Sequence, residues 1–164
     1  MSERLVPVLL LVVLFAAALA AMVWGWKRRG RSQQHLPRPA DHPLAHLGEG
    51  IDHGPVDAVY VDTVLAAQPL ERVVAHGLGQ RAKARVTLGD GGSWRLEREG
   101  APDLTIPAAD LVEITSGPGM AGKFIGGDGL LILRWRLGGQ LLDTGLRLAR
   151  RTDHDLLLSR KEHA

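Results

Sequence analysis

Cysteine is absent from this chain of 164 residues. Its absence excludes disulfide bonds, a thiolate nucleophile and zinc sites built on sulfur ligands. The chain also lacks the G-x-S-x-G turn that presents a serine nucleophile in many hydrolases. His76 and His154 stand apart from any motif that would tie them to a nucleophile or a carboxylate. The sequence therefore predicts a protein that is not an enzyme, with no cofactor and no catalytic residues.

A net positive charge is missing from most of the chain, although the sequence pI is about 9.4. Residues 32–164 hold 15 Lys and Arg against 17 Asp and Glu, a net charge of −2. The basic character comes from one short group, which we call the basic cluster: Lys27, Arg28, Arg29 and Arg31. Because nucleic-acid binding depends on positive charge spread over a surface, the sequence predicts no nucleic-acid partner.

Charged residues are also missing from a long apolar run, residues 5–26, which contains no Asn, Gln, Ser, Thr or His either. A helix rises about 1.5 Å per residue, so this run would extend about 33 Å and cross a hydrocarbon core of about 30 Å. Trp24 and Trp26 end the run, at the position where aromatic rings favour the headgroup region. The run predicts a single transmembrane helix.

The basic cluster decides the predicted orientation, because Lys and Arg close to a span stay on the cytoplasmic side. The cluster would lie at the membrane surface, against the anionic inner leaflet. Residues 1–4 would form a short extracytoplasmic tail, and the C-terminal part would face the cytoplasm from the inner (plasma) membrane. A cleaved signal peptide is the alternative, since Ala18-Leu19-Ala20 resembles a cleavage site. The apolar run continues past that site, which favours the anchor.

Residues 27–56 form the predicted linker, because their prolines and glycines leave no periodic apolar face. The segment also holds four histidines, His35, His42, His46 and His53. Histidines can bind zinc, but no cysteine and no suitably placed carboxylate completes a ligand set here. We therefore interpret the segment as a solvated spacer, and the sequence predicts no metal site.

Residues 57–164 show short alternating patterns that are typical of β-strands. The alternation is clear in residues 82–88 and 93–98, and in a last hairpin whose turn is Gly138-Gly139. Residues 150–164 change character and favour a short helix. The sequence thus predicts a mainly β fold, in which an antiparallel barrel or sandwich of about seven strands is closed by a C-terminal helix. This domain would follow the N-terminal transmembrane helix and the linker.

A second group of basic residues alternates along the predicted strands. Arg81, Lys83 and Arg85 share one outer face. Arg134 and Arg136 would extend that face if the two strands were neighbours. Such a face could bind an anionic lipid or an acidic protein partner. The alternative is an ordinary solvated face whose charges pair with acidic residues opposite.

Two phrases, SWRLEREGAPDLTIPAADLVEI and GLLILRWRLGGQLLDTGLRL, resemble a pleckstrin-homology-like (PH-like) domain. Together with the apolar run, residues 57–160 are similar to membrane-anchored PH-like proteins of actinobacteria, some of which are labelled export or membrane proteins. The resemblance implies a non-catalytic scaffold for lipid or protein contacts. The basic loop that grips phosphoinositides in eukaryotic PH domains would fall near residues 66–80. That region and the residue directly after it offer only Arg72 and Arg81, so phosphoinositide binding is not carried over.

The predicted function is therefore that of a bitopic membrane protein, which presents a PH-like binding module to the cytoplasm. Its expected partners are the lipid bilayer and a membrane or cytoplasmic protein. The alternative is an accessory subunit of a membrane export or transport assembly. In that case the alanines of the apolar run would let the helix pack closely against other spans.

Overall fold

The computed structural model describes residues 10–22, 36–124, 126 and 129–160. The chain divides into two compact units, Met1–His35 and Leu36–Ala164. In the first unit the described residues form one helix, α1, over residues 10–22. The second unit contains the β-structure and ends in a second helix.

The helix α1 corrects the prediction of a membrane span. Its described part contains only 13 residues, which is about 20 Å of helix and less than a hydrocarbon core of about 30 Å. Among the described residues, no helix combines the length and the apolar character needed to cross a membrane. The predicted transmembrane helix over residues 5–26 is therefore wrong, and so is the single-pass inner-membrane localisation based on it. The basic cluster (Lys27, Arg28, Arg29 and Arg31) lies outside the described residues.

The described part of the second unit forms ten strands and one helix. The strands are β1 (Ile51–Leu65), β2 (Gln68–Arg72), β3 (Ala82–Gly89), β4 (Trp94–Arg98), β5 (Leu104–Ile106), β6 (Leu111–Gly117), β7 (Gly119–Met120), β8 (Lys123–Phe124), β9 (Leu130–Leu137) and β10 (Gln140–Leu148). The helix α2 spans Arg151–Ser159. The mainly β character and the C-terminal helix agree with the prediction.

Eight of these strands form one antiparallel sheet in the order β5-β4-β3-β1-β10-β9-β6, with β2 paired to β1. The sheet is open, with β5 and β6 at its two edges, so the predicted barrel or sandwich closed by a C-terminal helix is wrong. The long strand β1 connects the two halves, because its first part pairs with β3 and its second part with β10. Hairpins explain why most neighbouring strands are adjacent. Strand β1 lies between the two groups of strands and joins them by pairing with β3 and β10.

The main core lies on one face of the sheet. Trp94 and Trp135 are 0% and 1% exposed. Leu157 of α2 packs into the same cluster, so the helix covers part of this face. Burying a large apolar side chain contributes roughly 1.5–3 kcal/mol, and this face therefore supplies most of the favourable burial.

The opposite face of the sheet is covered at one place by the β7–β8 hairpin. Met120 of β7 packs there against Val61, Val64 and Leu130. Gly145 of β10 makes room for this contact, because a Cβ at that position would lie 3.0 Å from the Met120 Sδ. The hairpin thus adds a second, smaller apolar cluster on the face that would otherwise meet solvent.

Candidate functional site

The two edges of the sheet differ in how they are covered. At β5, a segment that precedes β1 lies beside the edge strand, and we call residues 36–47 the strap. Ala40 forms a β-bridge with Thr105, and the Thr105 amide donates a hydrogen bond of 2.7 Å to the Ala40 carbonyl. Leu36 and Leu44 are 7% and 6% exposed and anchor the strap by apolar contact. The β5 edge is therefore occupied by a segment of the same chain.

Arg95 of β4 is the main polar anchor of the strap. Its guanidinium donates to the carbonyl oxygens of Asp41 and His42, the second at 3.1 Å. It also forms an ion pair of 2.5 Å with Asp103. The Thr105 hydroxyl donates to the same His42 carbonyl at 2.6 Å. These bonds hold the strap in one register along β5.

At the other end of the sheet, β6 pairs with β9 and with no other strand among the described residues. A bulge interrupts its register between Leu111 and Glu113, so the regular run of the edge begins at Glu113. Val112, at the bulge, is 39% exposed. An edge strand keeps a row of backbone donors and acceptors that can pair with another strand. The β6 edge is thus the place where this sheet can be extended.

The helix α2 is tied to β6 by a polar contact. Nε2 of His154 lies 3.3 Å from the Ser116 hydroxyl, and Nδ1 lies 3.1 Å from a carboxylate oxygen of Asp155. The pKa of Asp155 lies below its ordinary value, first because of the hydrogen bond with His154 and then because of the charge of Arg151. Serine, histidine and aspartate also form catalytic triads. Here the imidazole is only 3% exposed and joins two packed elements, so we assign it a structural role.

The structure does not bring the five predicted basic residues together. Lys83 and Arg85 are exposed on β3, and Arg81 immediately precedes that strand. Arg134 and Arg136 belong to β9, and both β1 and β10 lie between β3 and β9 in the sheet. The proposed continuous face would need β3 and β9 to be neighbours, which they are not.

Two of these arginines are paired with carboxylates. Arg85 lies 2.8 Å from Glu97. Arg134 donates two hydrogen bonds to Asp143, at 2.8 and 3.0 Å, and contacts Glu113 at 3.1 Å. The pKa of Arg134 is raised above its ordinary value, chiefly by the hydrogen bond with Asp143. Much of the positive charge on these strands is therefore compensated within the protein.

The cavities of the domain do not favour an anionic ligand. One cavity of about 640 Å³ is lined by three basic residues, Lys83, Arg85 and Arg98, and by four acidic residues, Asp57, Glu97, Glu99 and Asp103. A second, mostly apolar groove of about 460 Å³ lies between the β1–β2 and β7–β8 hairpins, and its charged lining residue is Asp143. The β1–β2 connection is a two-residue turn, and Arg72 after it forms an ion pair of 2.6 Å with buried Asp62. A phosphate group would find few available cations at these places.

Sequence reasoning did not identify the β6 edge or the anchors of the strap. Which strand ends a sheet depends on contacts between distant segments, and alternation within one strand carries no such information. Arg95 gave no signal either, because it follows Trp94 as any outward residue of a strand would. Only the short run Leu111–Gly117 between two glycine- or proline-containing connections marked β6 as a separate strand.

Comparison with known proteins agrees with this fold. No curated protein and no solved structure matched the chain. The family model described as bacterial PH domain-like matched residues 36–162, which is more than half of the chain. This match confirms the resemblance to PH-like domains that the two sequence phrases indicated. The chain belongs to the bacterial PH domain-like family.

Proposed function

We propose that this domain is a protein-interaction module that binds an extended segment of a partner protein by strand pairing along β6. Membership of the bacterial PH domain-like family supports a binding or scaffold role, since PH-like domains generally act by binding. The observation that carries the proposal is the difference between the two edges of the sheet. The strap occupies β5, whereas β6 has no second strand among the described residues.

Strand addition is a common way for a sheet to bind a peptide. Backbone hydrogen bonds provide the affinity, and side chains that alternate along the edge provide the selectivity. In β6 the run Glu113–Thr115 would pair with the partner, and exposed Val112 would contact an apolar side chain at its start. The contact between Ser116 and His154 holds α2 beside β6, so a partner segment would also meet a fixed helix.

The charge distribution favours a protein segment over an anionic lipid surface. A lipid-binding face needs several uncompensated cations close together. The basic residues of β3 and β9 lie on separate strands, and Arg85 and Arg134 pair with carboxylates. Strand pairing requires no net charge on the edge.

The proposal can be tested with a displayed library of random peptides selected on the full chain. Amide hydrogen exchange of the complex should then show added protection in β6. Val112→Lys places a charge at the edge and should weaken binding of the selected peptides about tenfold. Leu141→Lys is a matched control, because Leu141 is 36% exposed against 39% for Val112 and lies on β10, which is paired on both sides.

The control variant should bind the selected peptides within about twofold of the original chain, a change of less than 0.5 kcal/mol. Protection that appears on β3 or on the β7–β8 hairpin instead of β6 would contradict the proposal. Equal losses in Val112→Lys and Leu141→Lys would contradict it as well.

A further inference from the structure

We propose that the strap is exchangeable between two copies of this chain, so that the strap of one copy completes the β5 edge of the other. The occupant of this edge is already visible, since Ala40 and His42 of the strap contact Thr105 of β5. A second copy carries the identical segment and can make the identical contacts. This inference concerns the β5 edge and is independent of the function proposed for β6.

Most of the polar contacts between the strap and the rest of the domain involve two neighbouring strands. The Ala40 bridge, the two carbonyls held by Arg95 and the bond from Thr105 to His42 all involve β4 or β5. At the start of the strap, His76 bonds the Leu36 carbonyl at 2.9 Å. None of these contacts depends on how the strap is connected to β1. An exchanged strap therefore preserves them all.

A single residue, Gly48, can act as the hinge. Its φ is +77°, a left-handed conformation, and it ends the short 3₁₀ helix Leu44–Leu47. The next residues belong to the body of the domain, because Glu49 accepts hydrogen bonds from the backbone and the hydroxyl of Ser93. The amide of Gly50 is held by Asp90 at 3.0 Å. Opening at Gly48 alone would swing the strap away and leave the start of β1 in place.

Exchange of an identical element is a route to dimers that sacrifices few contacts, because only the hinge changes its conformation. The balance between the closed and the exchanged forms then depends on the hinge. No atom lies within 4 Å of the position of a Cβ at residue 48, so a side chain meets no steric obstacle there. Gly48→Ala therefore acts only through the left-handed backbone, which alanine disfavours. Residue 48 leaves the left-handed conformation in both copies of an exchanged dimer. The dissociation constant of the dimer should therefore be about thirtyfold lower for Gly48→Ala than for the unchanged chain.

Gly100→Ala is a matched control for this effect. Gly100 has φ +73° and also has no atom within 4 Å of a Cβ position, but it lies in the turn after β4, away from the strap. Analytical ultracentrifugation of the two full-length variants over a range of concentrations should show dimers for Gly48→Ala and not for Gly100→Ala. Monomers for both variants, or equal dimerisation of both, would overturn the proposal.

Crosslinking tests the exchange directly, because the chain contains no cysteine of its own. Ala40→Cys and Thr105→Cys are made in separate chains, which are mixed at high concentration and oxidised. Bridge partners of antiparallel strands are close enough for a disulfide. A disulfide-linked dimer containing one copy of each variant is the expected product, and its yield should rise when both chains also carry Gly48→Ala.

The double variant Ala40→Cys/Thr105→Cys in one chain reports whether the pair closes within a monomer. If that chain closes internally while the mixed single variants give no linked dimer, strap exchange is wrong. If the mixed variants link through positions 40 and 105, as peptide mapping would show, the exchange is established whatever the behaviour of the double variant.

Discussion

At the scale of single residues, Tyr60 is the centre of a buried polar chain. Its hydroxyl donates to the Leu78 carbonyl at 2.8 Å and therefore accepts from the Thr63 hydroxyl. Thr63 lies 2.8 Å from the Thr144 hydroxyl, and the Trp135 indole donates to Thr144 at 2.9 Å. Each hydroxyl thus donates one hydrogen bond and accepts one. This series of hydrogen bonds fixes the centre of β1 against β9 and β10.

The pKa of Tyr60 predicts how the stability of the domain changes at alkaline pH. Burial raises its pKa from 10.0 to about 12. In the unfolded chain the phenol ionises near pH 10, whereas in the folded chain it stays protonated to about pH 12. The unfolded state then binds fewer protons, so the free energy of unfolding falls by about 1.4 kcal/mol per pH unit in this window. Urea unfolding at several pH values between 10 and 12 measures the slope.

The titration itself is easy to observe, because Tyr60 is the one tyrosine of the sequence. Tyrosinate absorbance of the folded protein should rise near pH 12 and that of the unfolded protein near pH 10. Tyr60→Phe provides the control. It should lower stability by about 1–3 kcal/mol at neutral pH, since the Leu78 carbonyl loses its donor. The extra loss between pH 10 and 12 should disappear in this variant. An unchanged slope in Tyr60→Phe would contradict the assignment.

At the scale of elements, the strap depends on Arg95, whose side chain is 12% exposed. Arg95→Ala removes the donors to Asp41 and His42 and the ion-pair partner of Asp103. We expect a loss of about 2–3 kcal/mol of stability, because hydrogen bonds to charged groups contribute more than neutral ones. Arg95→Ala should also accelerate amide hydrogen exchange more in the strap than in β3. Urea unfolding and exchange measured by mass spectrometry check the two effects.

The matched control for this prediction is Arg85→Ala on the neighbouring strand. Arg85 forms an ion pair with Glu97 in which both side chains are well exposed, at 61% and 40%. Exposed pairs contribute little, so this change should alter stability by less than about 1 kcal/mol. Equal effects of the two substitutions would show that Arg95 does not anchor the strap.

The elements also show which parts of the fold the sequence could predict. Strands β3 and β4 lie within a residue or two of the segments that alternation indicated, and the last hairpin turns at Gly138 and Gly139. These signals are local, because side-chain period and turn residues belong to a few consecutive positions. Strand β1 begins at Ile51 and runs through Gly54 and Pro55, two residue types that usually favour loops. Its pairing with β3 outweighs that local preference.

At the scale of the whole molecule, the order of strands decides which surfaces exist. The five basic residues had the spacing of a common face, but β1 and β10 separate the two strands that carry them. Among the described residues, the β6 edge that pairs with β9 alone and the covered edge at β5 arise from the same order. Neither property is encoded in one strand, since both depend on which distant segments pair. This is why the strand pattern and the PH-like resemblance could be predicted, and the candidate site could not.

The second compact unit begins at Leu36, and this boundary has a measurable consequence. A fragment of residues 36–164 should unfold cooperatively with nearly the stability of the same region in the full chain. A fragment of residues 51–164 retains all ten strands but loses the strap. Because Leu36 and Leu44 are nearly buried, their removal should cost roughly 3–6 kcal/mol. The edge of β5 would then also be free to pair with other molecules.

Thermal unfolding followed by circular dichroism compares the two fragments. The melting temperature of residues 51–164 should be lower than that of residues 36–164 by about 10 °C or more. The shorter fragment should also associate at high concentration through its uncovered edge. A peptide of residues 36–47, added in excess, should restore much of the lost stability, because it supplies the bridge to Thr105 and the carbonyls that Arg95 holds. Equal melting temperatures for the two fragments would mean that the strap is a spacer and that the folded domain starts at β1.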